Sequence, residues 1–97
     1  MYIKTMGQPP GCKLIRLNAD INEGIICSFS VRGDFFASPE EGFEAAERRM
    51  VGIALKDAAV SFNTFLEEEG VDCSGINGEA VALLLKTAFD AAMEKHD

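Results

Sequence analysis

Ser30–Glu41 reads SVRGDFFASPEE, and within these residues the hydrophobic period changes. Upstream, side chains alternate between apolar and polar; downstream, apolar residues recur at helical spacing. Strands first and helices after specify an α+β fold in two layers, with helices packed on one face of a small sheet. The Gly33-Asp34 turn and the adjacent Phe35 and Phe36 sit at the junction.

Upstream, Ile15, Leu17, Ala19 and Ile21 alternate with Arg16, Asn18 and Asp20, the pattern of a half-buried strand. Asn22-Glu23-Gly24 is a turn with glycine available for the left-handed position. Alternation resumes after it, placing Cys27, Phe29 and Val31 on one face and Ser28, Ser30 and Arg32 on the other. Tyr2–Met6 supplies a further β-capable run, and Pro10-Gly11 suits a type II turn before Lys13. These segments form a three-stranded antiparallel meander with one apolar face.

Downstream, Ser38-Pro39-Glu40-Glu41 predicts a helix start, with Ser38 as N-cap, Pro39 in the first turn and Glu41 closing a capping box. Phe43, Ala46 and Met50 form its stripe, and Gly52 ends it in the left-handed conformation. A second helix is expected over about 57–69, with Ala58, Phe62, Phe65 and Leu66 inward and Gly70-Val71 as its stop. The third begins near Asn77, with Ile76 and Val81 as a hydrophobic staple, and continues through Leu84, Leu85, Ala88, Phe89 and Ala92. Asp72–Gly78, DCSGING, is expected as a mobile loop.

The 97 residues fit one domain over 1–97, and 47% apolar with 26% charged residues is an ordinary globular composition. The formal charge is −7, which opposes general affinity for nucleic acid. Charge is unevenly distributed. Residues 1–32 carry four basic residues against two acidic ones, whereas 33–97 carry five against fourteen. The imbalance reads first as a solvated acidic helical face kept soluble by its charge, and alternatively as a mildly basic first third that meets an anionic group or an acidic partner.

Cys12, Cys27 and Cys73 form no CxxC pair, and the single His96 is penultimate, so neither a zinc site nor a Cys–His nucleophile pair is expected. No GxxxxGK[ST] phosphate loop or GxSxG elbow is present. The longest apolar run, Ala80–Leu85, is too short to span a bilayer, and no membrane partner is expected. With an odd cysteine count and no apolar leader, a cytoplasmic location is expected. Arg32-Gly33-Asp34 is an adhesion tripeptide in some extracellular proteins, but here it runs straight into two phenylalanines that favour burial. Asp34 is expected to hydrogen-bond neighbouring backbone N–H groups. On an extended backbone Phe35 and Phe36 point in opposite directions, which puts one in the core and leaves the other exposed as an anchor for a partner; the alternative is that both are buried where strand turns into helix.

PPGCKLIRL at Pro9–Leu17, a hairpin with a glycine turn, GDFF at 33–36, SPEE at 38–41 and a helix ending in Gly52-Ile53 together resemble the accessory domain of lipoate–protein ligases. Cys12 stands where that family commonly has a second glycine. The resemblance implies a non-catalytic subunit of a two-part ligase, inert alone, beginning at Met1 and ending at Asp97 without a catalytic domain. Its partner would be the catalytic ligase subunit, which holds lipoate, ATP and Mg²⁺ and forms lipoyl-AMP; the lipoyl carrier domain, whose lysine is modified, would be a further partner. Gly11, Lys13, Arg32, Gly33, Asp34, Phe35 and Phe36 are then the candidate contacts with the partner or its nucleotide, with Lys13 and Arg32 as the cations. The alternative from another class is a stand-alone interaction or regulatory module with no role in ligation.

Overall fold

In a computed structural model of the chain, residues 1–94 are described; His96 lies outside them. Three strands, β1 (Tyr2–Gly7), β2 (Ile15–Asn22) and β3 (Ile25–Gly33), form an antiparallel sheet in sequence order. Three helices follow: α1 (Glu40–Arg49), α2 (Ala58–Glu68), entered through a 3-10 turn at Leu55–Asp57, and α3 (Gly78–Glu94). Two short strands, β4 (Phe36–Ser38) and β5 (Asp72–Ser74), pair antiparallel in a separate sheet. The expected meander and helical layer are present.

Alternation in β2 works as expected, burying Ile15, Leu17, Ala19 and Ile21. They pack with Ile3, Ile26 and Val31 against Phe43, Ala46, Met50, Phe62, Leu66, Val81 and Leu85 from the helices. Edge-on aromatic contacts join sheet to helix and helix to helix, with Phe62 centred 5.6 Å from Phe29 of β3 and 6.0 Å from Phe43 of α1.

Cys27 departs from the expected pattern. Asp20 pairs with Ser28 but Ile21 pairs with Ile26, so Cys27 has no partner in the ladder. This bulge flips the phase: Ile26 is fully buried and Cys27 exposed. The turn at Glu23-Gly24 places both residues at positive φ, 51° and 76°, matching the twist of the flanking strands.

The α1 start differs too. Ser38 lies in β4, Pro39 is the N-cap, and no side chain caps the first turn, so the expected capping box does not form. Ser38 is held by pairing with Asp72, a long-range partner that local spacing does not announce. Gly52 is left-handed as expected (φ 92°), and its N–H donates to the Ile26 carbonyl at 2.7 Å, joining the helix end to the sheet. At the end of α2, Val71 N–H donates to Leu66 O at 2.9 Å and Gly70 N–H to Glu67 O at 3.1 Å, a Schellman stop. Asn77 caps α3, its Oδ1 accepting the Ala80 N–H at 2.8 Å.

The stretch expected as a mobile loop is tied down. Its first half is β5, and the Gly75 carbonyl accepts the Lys13 N–H at 2.9 Å. Glu68 and Glu69, in a run that reads as solvated charge, both pair with Arg49 (2.6 and 3.1 Å), whose guanidinium lies 4.2 Å above Phe65. No described helix is long and apolar enough to cross a membrane.

Candidate functional surface

The Pro9–Lys13 turn and the chain leaving β3 meet at one end of the sheet. Pro10 and Gly11 form the predicted turn, with Gly11 at φ 78° and the Cys12 N–H donating to Pro9 O at 3.0 Å. Only Gly11 needs the left-handed conformation here; Cys12 is buried as a small apolar side chain, so a second glycine is not required.

Two backbone bonds fix the neighbouring segments. Leu14 O accepts the Asp34 N–H at 3.0 Å, and Gly75 O accepts the Lys13 N–H. Gly33 sits opposite Ile15, so close that a Cβ there would lie 2.1 Å from Leu14 O. The Lys13 stem crosses Gly75 in the same way, its Cγ 2.6 Å from where a Cβ would stand. Glycine at 33 and at 75 is thus what lets these segments touch.

Phe35 is partly buried, its ring centred 5.3 Å from Phe43, while Phe36 is 60% exposed. The expected division holds, and Phe36 is the outward ring. Pairing of β4 with β5 sets Phe36 opposite Ser74, beside the segment that carries Lys13. All seven candidate residues therefore gather at this end, with Gly11, Lys13, Arg32, Gly33, Asp34 and Phe36 exposed.

Two side chains behave differently from expectation. The Asp34 carboxylate is exposed and makes no hydrogen bond among the described residues; only its N–H is engaged. Arg32 is not a free cation. Its Nη1 donates to Glu47 Oε2 at 3.0 Å, to Oε1 at 3.2 Å and to Val31 O at 2.7 Å. Glu47 is buried on α1, and Oε2 also accepts the Val31 N–H at 2.8 Å. Nothing in the sequence reading selected Glu47. Its signal was position: four residues after Phe43 and next to Ala46, it is a carboxylate on the apolar stripe.

Between α1 and the β3–β4 segment lies a cleft of about 270 Å³, lined by Arg32, Phe35, Phe43, Glu40, Glu44 and Glu47. It is smaller than usual small-molecule sites, and three carboxylates against one guanidinium disfavour an anionic ligand. Lys13 differs: it makes no ion pair among the described residues and stands at the exposed end. Beside Asp72, the Cys73 thiol is pushed above its ordinary pKa, first by burial and then by the Asp72 charge, which makes it a poor nucleophile. No group of three or more His, Cys, Asp or Glu side chains among the described residues is placed to hold a metal ion. The arrangement is a hydrogen-bonded, mixed-charge end with one outward aromatic ring.

The same fold occurs in a lipoylation system. The chain is similar to one in the structure of an archaeal lipoylation system from Thermoplasma acidophilum, comprising a bi-partite lipoate protein ligase and its E2 lipoyl domain. The match has a TM-score of 0.64 at 24% identity and covers 81% of this chain and 90% of that one. At that identity the likeness establishes the fold. No protein-family model matches the chain, and no curated protein matches it.

Proposed function

We propose that this chain is the non-catalytic accessory subunit of a two-part lipoate–protein ligase, required for ATP-dependent activation of lipoate to lipoyl-AMP before transfer to a carrier-domain lysine. One coincidence carries the reading. The GDFF segment that resembles the ligase accessory domain lies on the exposed end just described, in a fold shared with a chain of a lipoylation system that comprises a bi-partite ligase and its lipoyl domain. The match spans most of both chains, so the two are similar in length as well as fold.

Physical chemistry makes the role coherent. An acyl-adenylate hydrolyses when water reaches it, so a body that covers the site during activation and leaves for transfer is useful. Such a cover needs shape, a docking patch and a few donors. Phe36 provides an anchor and Lys13 an uncompensated cation beside the partner's nucleotide, while lipoate, ATP and Mg²⁺ are held by the catalytic subunit. Arg32, neutralised by Glu47, shapes the surface instead of countering phosphate charge.

Reconstitution tests this. The purified chain should confer lipoate- and ATP-dependent adenylate formation on the catalytic subunit and show none alone. Lys13→Glu should slow that half-reaction. A catalytic subunit that forms lipoyl-AMP equally fast without this chain would overturn the proposal.

A further inference from the structure

The sheet has one face packed on the helices and one that no described element covers. Tyr2, Lys4 and Met6 of β1 and Arg16 of β2 point out of that open face, with Arg32 at its β3 edge. Tyr2 and Met6 are each 65% exposed, unusual for side chains of their size. Met6, Arg16 and Arg32 stand opposite one another in a single row across the three strands. The next row, Gly7, Ile15 and Gly33, reaches the end that carries Lys13 and Asp34. The open face is therefore continuous with the candidate functional surface.

Its charge is opposite to that of the molecule. Arg32 is neutralised by Glu47, but Lys4 and Arg16 face only Asp20, whose carboxylate is paired with the N-terminal ammonium at 3.2 Å, in a chain of formal charge −7. A flat surface with two exposed apolar side chains between cations is complementary to an acidic protein surface with apolar sockets. Nucleic acid fits poorly, since the remaining acidic surface repels a phosphate backbone.

We infer that the open sheet face docks an acidic surface of the partner protein, extending the contact from Lys13 across Arg16 and Lys4 to Tyr2. The inference rests on the accessory-subunit reading, which makes the catalytic ligase subunit the partner.

Titration of that subunit with wild-type chain, at low and high salt, gives the reference affinity. Lys4→Glu/Arg16→Glu should weaken binding about tenfold or more and remove most of its salt dependence. Tyr2→Ser/Met6→Ser should weaken it about fivefold or more without changing the salt dependence. Lys86→Glu, on α3, should bind as wild type. Because the altered side chains are exposed, melting curves should be unchanged; if the charge-reversed variant melts early, Lys4→Gln/Arg16→Gln is read in its place. Wild-type binding retained by both double variants overturns the inference and leaves the accessory role standing. A wild-type chain that does not bind overturns both. Self-association that the double variants abolish, with ligase binding intact, also overturns it, making the face a contact between copies.

Discussion

The Glu47 carboxylate accepts the Val31 backbone N–H at 2.8 Å, reaching from α1 to the outer edge of β3. An edge strand presents N–H groups that would otherwise seek another chain, and here one is satisfied from within. The same carboxylate holds Arg32 at 3.0 Å, so one buried side chain both satisfies an edge N–H and positions a surface cation. Glu47→Ala leaves Val31 unsatisfied and Arg32 unpaired. It should cost about 1–3 kcal/mol, mostly from the buried N–H, since the largely exposed Arg32 contributes little. For a domain of this size that corresponds to a fall in Tm of roughly 5–20 °C by calorimetry. Arg32→Ala alone should lower Tm by much less, and equal losses from the two variants would contradict this division.

Gly33 and Gly11 are glycines for different reasons, and alanine separates them. At Gly33 a Cβ would lie 2.1 Å from the Leu14 carbonyl oxygen, backbone that cannot swing aside. Gly33→Ala should therefore cost about 2 kcal/mol or more, because β2 and β3 must part to admit the methyl group. Around Gly11 nothing lies within 4 Å of an added Cβ, and only its φ of 78° opposes substitution. Gly11→Ala should cost about 1–2 kcal/mol, the ordinary penalty for a left-handed L-residue. Urea titration of both variants checks the order; a costlier Gly11→Ala would refute it.

The meander, the helix stripes and the Gly70 stop follow from local periodicity, and were legible because each depends on residues a few positions apart. What was not legible depends on distant partners. Ser38 reads as an N-cap until Asp72 pairs with it, and DCSGING reads as loop until β4 recruits its first half. The Cys27 bulge is hidden because alternation before and after it is equally regular. At the candidate surface, the alternation of an extended backbone made the split between Phe35 and Phe36 legible. The ion pairing of Arg32 was not legible because its partner, Glu47, lies fifteen residues later.

Phe35 and Phe36 should separate stability from recognition. Phe35 packs on Phe43 beneath the surface, so Phe35→Ala should cost about 1.5–3 kcal/mol, below the full-burial value because the ring is only partly covered. Phe36 is 60% exposed, and Phe36→Ala should change stability by less than about 0.5 kcal/mol. In binding to the catalytic subunit proposed as its partner the order should reverse, with Phe36→Ala losing more affinity per unit of lost stability. Paired melting and binding curves test this; a Phe36→Ala chain that melts early, or binds undiminished, would break the assignment.

The cysteines give a pH-dependent readout of the β4–β5 end. Cys27 is exposed on its bulge, Cys12 is buried, and Cys73 is half-covered with its S–H donating to the Ile76 carbonyl at 3.7 Å. Burial, and then the neighbouring Asp72 charge, raise the Cys73 pKa above that of the unfolded chain. The folded state thus keeps a proton that the unfolded state releases. Its stabilising effect is complete below the unfolded thiol pKa of about 8.5 and is lost as pH rises through the folded value. Iodoacetamide should therefore modify Cys27 first and Cys73 later, with Cys12 reacting only on unfolding. Denaturant midpoints should fall between pH 8 and pH 10, and Cys73→Ala should reduce that slope. Mass spectrometry of the alkylated peptides reads the order directly, and a Cys73 that reacts ahead of Cys27 at pH 8 would mean that β5 does not shelter it.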